Sequence, residues 1–239
     1  VMEIFIHIPY QKPDLAGNIW QIVRRDFAES FRFICKDNPV IGKAVLAACG
    51  INLFLTSMIT VALPYLVTEV IDLETARANR LYGFAQGILA AGGLAGGICA
   101  GIFAKKLSIQ KSGRLIVMSA VCLLPVGASL FLVKSGMINY VVLTIGCFTV
   151  MVCATVFNVQ VLSFFQLLTP AHLIGKVMAL IFTAAMCAQP FGNALYGVLF
   201  EICQGMEWVV VLFACVVSML IAVGVWRIFE GFAGQNPER

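Results

Sequence analysis

The chain has 239 residues, of which 61% are hydrophobic and only 12% are charged. Its mean hydropathy is +0.96 and its formal net charge is +4. Soluble domains average about 45–50% apolar and about 25% charged residues, so this composition excludes an ordinary water-soluble domain and indicates a protein embedded in lipid. The nine cysteines lie mostly inside apolar runs and form no CxxC pair. We therefore expect no metal, no cofactor and no nucleic-acid partner.

Six apolar segments are long enough to cross a bilayer. A transmembrane helix needs about 20 mostly apolar residues, whereas the strands of a membrane barrel alternate in polarity over about ten. The interiors of the six segments lack Asp, Glu, Lys and Arg and are apolar on every face. We predict an all-α membrane protein built on a six-helix transmembrane bundle. The predicted spans are residues 44–67, 81–103, 115–133, 140–162, 177–200 and 208–226.

The positions of Lys and Arg predict the orientation of this bundle, because cytoplasmic loops carry an excess of both residues. Thirteen of the 16 lie before the first span, in the loops after the second and fourth spans, or after the sixth span. The other three lie in the alternate loops. We therefore expect a multi-pass protein of the cell membrane with both ends in the cytoplasm. The basic residues of the loop after the second span are Lys105, Lys106, Lys111 and Arg114.

The segments outside the bundle have different characters. Residues 1–10 are apolar but too short to span a bilayer, so we interpret them as the tail of a preceding transmembrane helix and the chain as a fragment. Residues 11–43 read as a cytoplasmic linker and residues 227–239 as a cytoplasmic tail. Within the linker, apolar residues recur at helical spacing over Leu15–Lys36, before Asn38-Pro39 breaks the pattern. This amphipathic helix could lie on the membrane surface or pack on protein, and the sequence favours neither.

Polar side chains within the spans point to the bundle interior, because they are costly in contact with lipid. Side-chain amides occur on the first, second, fourth and fifth spans, and none on the third and sixth, which we expect to face lipid on most sides. Thr56 and Thr60 continue the stripe of Asn52, and Pro190 lies between Gln189 and Asn193, where it should kink the helix. Such a set can line a pathway or hydrogen-bond helices together. The candidate pathway residues are Asn52, Thr56, Thr60, Gln86, Phe157, Asn158, Gln160, Gln189, Asn193 and Tyr196.

Glycines at four-residue spacing run along the second span and predict a close helix contact. Those we expect to act in packing are Gly83, Gly87, Gly93 and Gly97, together with Pro190 at the kink. The two halves of the bundle also share a weak pattern. Each has a span with polar residues, a span with glycine or proline, and an apolar span, as in an inverted 3+3 repeat.

Five local patterns carry a resemblance to a known family. They are Asp26–Ile34 (DFAESFRFI), Leu81–Leu89 (LYGFAQGIL), Gly101–Lys106 (GIFAKK) with Gly113-Arg114, Thr169–Val177 (TPAHLIGKV), and Gln189–Gly192 (QPFG) with Gly197. The chain resembles the C-terminal half of a major facilitator superfamily transporter, close to the bacterial drug and macrolide efflux branch, from the linker through all six spans. Lys105 departs from the family's signature loop, which carries an acidic residue there, so we interpret the loop lysines as topology determinants and lipid-headgroup contacts.

The resemblance implies half of a twelve-helix fold, in which two six-helix halves rock about a central cavity. It implies an N-terminal half as partner, besides the bilayer and a small-molecule substrate, and a secondary transporter that exports a moderately hydrophobic drug or macrolide by proton antiport. No span interior carries a carboxylate, so we expect the coupling group in the other half. Alternatives are an importer of a small metabolite and a self-contained six-span channel or scaffold. An enzyme is disfavoured, because no span pairs His with Asp or Glu.

Overall fold

The computed structural model describes residues 19–71, 75–103 and 109–235, and every regular element in these ranges is a helix. Three turns have the wider π-helical form, at Phe33–Asp37, Asn52–Thr56 and Leu66–Val70. The helices are α1 (Ile19–Arg32), α2 (Pro39–Ile51), α3 (Ser57–Tyr65), α4 (Thr75–Phe103), α5 (Ile109–Val121), α6 (Leu123–Leu132), α7 (Gly136–Leu168), α8 (Ile174–Ile202) and α9 (Glu207–Gln235).

Six helical runs are long and apolar enough to cross a membrane, which confirms the predicted fold class. The first combines α2, α3 and two π-helical turns, and the third combines α5 and α6. Most of these helices extend past the predicted spans, because hydropathy marks the apolar centre and polar residues continue the helix into the membrane edge. The spans, first to sixth, are Pro39–Val70, Arg77–Phe103, Gly113–Leu132, Gly136–Leu168, Ile174–Ile202 and Glu207–Arg227.

The linker ends earlier than predicted. Asn38 is the only non-helical residue between the π-helical turn and α2, and the first span begins at Pro39, so residues 39–43 belong to this span. Proline suits the first helical position, because the N–H that it lacks would have no partner there. The predicted tail at 227–239 begins as a continuation of α9, which reaches Gln235. Residues 1–18, which hold the predicted stub and the start of the linker, fall outside the described residues.

Two spans are interrupted for identifiable reasons. In the first span the N–H of Ser57 bonds the carbonyl of Asn52, five residues back, which widens the turn at Asn52–Thr56. In the third span α5 and α6 are separated at Cys122. Pro125 lies in the first turn of α6 and has no N–H to offer to the carbonyl of Val121, the last residue of α5, which accounts for the interruption.

The spans form an open arc. Each span packs on the next in the order second (α4), fourth (α7), third (α5 and α6), sixth (α9), first and fifth (α8). The fourth and fifth spans share only a small contact, and the turn at Leu66–Val70 touches α4. The second and fifth spans therefore lie at the two ends of the arc.

Burial follows from the position in this arc. Only 17% of the most apolar stretch is buried in each of the second and fifth spans, against 39% in the third and sixth and 50% in the fourth. The third and sixth spans, expected to face lipid on most sides, are thus better covered than the second and fifth. The reason is that they lie in the middle of the arc with a neighbour on each side.

Two buried clusters hold the helices together, one toward each end of the bundle. The cluster at the linker end joins Phe33 and Ile34 to the start of the first span, the end of α7, the start of α8 and the end of α9. The cluster at the far end centres on Leu63, Leu66 and Phe200. We use "linker end" below for the end of the bundle that carries Phe33 and Ile34.

Candidate functional site

The first and fifth spans cross beside a widened turn of the first span and a proline of the fifth. Gly192 of α8 lies directly against the first span, and a Cβ at this position would overlap the carbonyl oxygen of Leu53 and the hydroxyl of Ser57. The first span is widened at Asn52–Thr56, beside this contact. The fifth span carries Pro190, which offers no N–H to the carbonyl of Met186. Such π-helical turns are frequently found at functional sites.

A single hydroxyl joins the two helices at this crossing. Ser57 Oγ lies 2.8 Å from the carbonyl oxygen of Asn52 in its own span and 3.0 Å from the carbonyl oxygen of Gln189 in the fifth span. The side chain of Ser57 is completely buried. A serine hydroxyl has one hydrogen to donate, so the two carbonyls are alternative acceptors. The Ser57 hydroxyl can therefore hold the spans together or release the fifth span without losing a hydrogen bond.

The amides of the fifth span lie beside the crossing. Gln189 and Asn193 are half-buried, and α8 runs as one helix through the exposed Pro190. The Oδ1 atom of Asn193 and the hydroxyl of Tyr196 are buried and have no hydrogen-bond partner within the part of the chain that the structure describes. Buried polar groups without a partner are costly, so native proteins almost always satisfy them with protein, water or a bound molecule. The oxygen of Asn193, next to Gly192, marks the crossing as a place where a further polar group can bind.

The polar stripe of the first span also reaches this region. Asn52 and Thr56 are half-buried and Thr60 is exposed. Two of the side chains bond their own helix, Asn52 Nδ2 to the carbonyl of Ala48 at 3.0 Å and Thr60 Oγ1 to the carbonyl of Thr56 at 2.9 Å. The hydroxyl of Thr60 therefore occupies the carbonyl of Thr56. The side-chain oxygen of Asn52 accepts no hydrogen bond from the described residues and is available to a bound molecule.

Other predicted pathway residues lie elsewhere in the arc. Gln86 is exposed on α4, with its Nε2 donating to the hydroxyl of Tyr82 at 2.8 Å. On α7, Asn158 is exposed and Gln160 is half-buried. Because α7 shares only a small contact with α8, and α4 lies at the other end of the arc, the structure does not bring these three amides to the crossing.

Two aromatic candidates are buried rather than on a surface. Phe157 is 7% exposed and belongs to the cluster at the linker end, and Tyr196 is 0% exposed. A side chain that lines a pathway must present an open face, and in this arrangement of the helices neither ring does. Both rings belong to buried apolar clusters, and their place in a pathway stays a prediction.

The close contact of the second span within this chain is made by Gly92 and Gly96, one of its four-residue glycine pairs. A Cβ at Gly92 would lie 3.1 Å from the carbonyl oxygen of Phe148, and one at Gly96 would lie 2.8 Å from the carbonyl oxygen of Val152, both on α7. At the four predicted positions a Cβ would meet no atom of the described chain within 4 Å. These positions are Gly83, Gly87, Gly93 and Gly97.

The predicted basic loop is described only in part. Lys105 and Lys106 fall outside the described residues, and Lys111 lies in α5 with a side chain that is also outside them. Arg114 is exposed at the same end of α5. Among the described residues no group of three or more His, Cys, Asp or Glu side chains could hold a metal ion.

Two residues of the crossing were not predicted from the sequence. Ser57 follows Thr56 on the first span, and Gly192 follows Pro190 by two positions on the fifth. Gly192 could have been identified from the sequence, because it lies two residues after a proline and between the amides Gln189 and Asn193. Ser57 carries no such signal, because serines in transmembrane helices most often bond their own backbone.

Comparison with known proteins gives one match. The family model described as Major Facilitator Superfamily matches residues 4–193, which covers most of the chain and ends at Asn193 in the fifth span. No curated protein and no solved structure matches the chain significantly.

Proposed function

The chain belongs to the major facilitator superfamily of membrane transporters, and from this premise we propose that it forms the C-terminal half of a secondary active transporter that exports a moderately hydrophobic small molecule. The observation that carries the proposal is the crossing of the first and fifth spans. It combines a hydroxyl with two acceptors, an unpartnered amide oxygen and an interrupted backbone at one end of an open arc.

The chemistry of this crossing suits a neutral, partly apolar substrate. Its polar groups are amides and hydroxyls, and the interior of every predicted span lacks Asp, Glu, Lys and Arg. A substrate bound here would form a few hydrogen bonds, for example to Asn193 Oδ1, while apolar side chains cover the rest. Drugs and macrolides have this character, whereas sugars and charged metabolites need more polar partners.

Alternating access is supported by the way the arc is built. Discontinuous helices at a repeat interface are a common place for substrate sites in transporters. A hydroxyl that exchanges acceptors between two helices allows them to shift without leaving a buried donor unbonded. The proposed pathway includes the exposed or half-buried polar residues, with Gln189 and Asn193 closest to the crossing. The set is Asn52, Thr56, Thr60, Gln86, Asn158, Gln160, Gln189 and Asn193.

The proposed partner of this half is an N-terminal six-helix half of the same transporter. The second and fifth spans are the least covered, and the small-residue face of α4 is open at Gly83, Gly87 and Gly97. Packing of a second half on these spans would shield them from lipid. We place any carboxylate for proton coupling in that half, and both ends of this chain on the cytoplasmic face of the cell membrane.

The proposal is tested by transport. Cells that express the complete gene product should accumulate less of a fluorescent hydrophobic dye than cells without it. Gln189→Ala and Asn193→Ala should each lower the export rate about 2- to 10-fold, the loss expected for one hydrogen bond to a substrate. Gln166→Ala, which removes an exposed amide at the linker end of α7, is the matched control and should leave export unchanged.

The same experiment separates the alternatives. Export that persists in Gln189→Ala and Asn193→Ala at normal protein levels would contradict the proposed site. Dye uptake into cells, rather than export, would show an importer. A complete gene product that moves no small molecule in either direction would favour a channel or scaffold.

A further inference from the structure

The linker helix α1 is held to the bundle along one side. Lys176, in the first turn of α8, donates to the carboxylate of Asp26 at 2.8 Å and lies 3.6 Å from the carboxylate of Glu29. Ser30 is buried, and Phe33 and Ile34 of the following turn enter the cluster at the linker end. This side of the helix therefore binds protein, and two of its acidic groups are already paired.

A different side of α1 carries exposed aromatic rings. Trp20 is 80% exposed, Phe27 57% and Phe31 53%. Spacings of seven and four residues place the three rings on one stripe. The rings of Phe27 and Phe31 stack with centroids 6.3 Å apart. At about 100° per residue, this stripe lies roughly a third to a half of a turn from Asp26 and Glu29, which bind Lys176. The aromatic stripe therefore points away from these contacts and is not covered by the described part of the bundle.

The exposed charges around this stripe are mainly positive. Arg24 lies on the stripe itself, between Trp20 and Phe27, and Arg25, Arg32 and Lys36 are exposed about a third of a turn or more around the helix. The acidic residue of this segment outside the Lys176 cluster is Asp37, at its end next to the first span. Aromatic rings combined with Arg and Lys side chains have the composition of a helix that binds an anionic lipid surface.

We propose that α1 is a membrane-surface anchor, which inserts Trp20, Phe27 and Phe31 into the lipid headgroup region and binds anionic headgroups through its exposed arginines. The position of the helix fits this occupant, since Asn38 alone separates its last turn from the first span. A helix attached so directly to a transmembrane span is held at the membrane surface. The ion pair with Lys176 links the anchor to the fifth span, so the lipid composition of the leaflet can influence the helix that carries Asn193.

The fluorescence of Trp20 tests the anchor without any transport measurement. Trp208→Phe and Trp226→Phe leave Trp20 as the single tryptophan of the chain. The complete gene product carries these changes, with Phe at any further tryptophan, in nanodiscs of phosphatidylcholine alone or mixed with phosphatidylglycerol. Brominated acyl chains quench a tryptophan that enters the bilayer. We expect phosphatidylglycerol to shift the Trp20 emission to shorter wavelength and to increase its quenching, and high salt to reverse both effects.

Charge variants give the expected size of the effect. Each Arg near an anionic surface adds about 1 kcal/mol, a factor of about five in binding. Arg24→Gln with Arg25→Gln should therefore raise the phosphatidylglycerol fraction that half-maximal quenching requires. Arg77→Gln with Arg80→Gln, which removes two exposed charges from the start of the second span, is the matched control and should have no effect.

Two results would overturn the proposal. If Trp20 stays in water at every lipid composition, the stripe does not enter the membrane. If Trp20 is shielded from water but brominated acyl chains do not quench it, a protein segment or a second copy covers it. Both readouts are independent of substrate, so they remain decisive even if the proposed export activity fails.

Discussion

Two helix crossings in this bundle use glycine for close approach but differ in their surroundings. At the crossing of the second and fourth spans, Gly92 and Gly96 lie against the backbone of α7, and both helices run without interruption. At the crossing of the first and fifth spans, Gly192 lies against a widened turn and follows a proline by two residues. A hydrogen bond joins each pair, from Tyr140 to the carbonyl of Leu81 and from Ser57 to that of Gln189.

The difference between the crossings lies in what their backbones can do. Among the described residues the Tyr140 hydroxyl has one protein acceptor, so separation of the second and fourth spans leaves a largely buried donor without a protein partner. The Ser57 hydroxyl has a second acceptor in its own helix at nearly the same distance. Close packing by glycine therefore occurs at two kinds of crossing. We call the crossing of the second and fourth spans the fixed joint, and the crossing of the first and fifth spans, where the helices can shift without losing a hydrogen bond, the adjustable joint.

The largest effect is expected from Gly192→Ala. The added methyl group would overlap the carbonyl oxygen of Leu53, and a backbone oxygen cannot move away as a flexible side chain can. We expect a loss of about 3 kcal/mol or more, at the upper end of overpacking costs, measured as a lower thermal unfolding midpoint in detergent. Gly197→Ala, where a Cβ meets open space, is the control. Equal midpoints for the two variants would show that the close crossing does not exist.

A neighbouring pair of glycines tests the fixed joint. Gly96→Ala places a methyl group 2.8 Å from the carbonyl oxygen of Val152 and should destabilise the bundle by about 1–3 kcal/mol. Gly97→Ala points away from α7 and should stabilise the bundle slightly, by up to about 1 kcal/mol, because alanine favours the helix. Unfolding midpoints of this chain would compare them. If Gly97→Ala destabilises the bundle and Gly96→Ala does not, then α4 packs on α7 through the side that carries Gly97, which contradicts the structure.

The two hydroxyl bridges test whether the joints differ in mobility. Ser57→Ala and Tyr140→Phe each remove one hydrogen bond between spans and should cost about 0.5–1.5 kcal/mol in unfolding free energy. Since only Ser57 has an alternative acceptor, Ser57→Ala should change the export rate more than Tyr140→Phe at equal stability. Equal rates in the dye assay would contradict the adjustable joint. Ser163→Ala, which removes an exposed hydroxyl bonded to its own helix, is the control.

The smallest effect is expected from Lys176→Gln, which removes the ion pair between the linker helix and the fifth span. Both partners are partly exposed, at 39% and 34%, so solvent screens the pair. We expect a loss of about 0.2–1 kcal/mol that vanishes in high salt. Asp26→Asn should have an equal or smaller effect, because Lys176 keeps Glu29 as a partner, and the double variant should lose no more than Lys176→Gln alone. Additive losses would show that the two side chains act independently.

Much of the fold could be predicted from the sequence, whereas the packed face of α4 could not. Hydropathy located all six spans, because lipid requires about 20 apolar residues whatever the neighbours are. Asn38-Pro39 likewise marked a break that depends on local backbone chemistry. The glycines of α4 have four-residue spacings on several faces, so periodicity could not separate Gly92 and Gly96 from Gly93 and Gly97.

The candidate site divides in the same way. The amides of the first and fifth spans could be identified from the sequence, since polar side chains in an apolar segment stand out. Ser57 could not, because its function depends on the carbonyl of a residue 132 positions away. Phe157 and Tyr196 were predicted at the wall and lie in the cores, because an aromatic ring in an apolar segment suits either place.

Local properties of the chain identified the segments that lie in the membrane, the break at Asn38-Pro39 and the polar side chains within the spans. These properties depend on the segment itself and on its solvent, and the arrangement of the other helices does not change them. The packed face of each helix became known only from the tertiary structure. The same is true of the contact between Gly192 and the first span, and of the separation of the aromatic stripe of α1 from the bundle. Contacts between distant segments depend on how the helices are arranged, and periodicity within one helix carries no information about its neighbour.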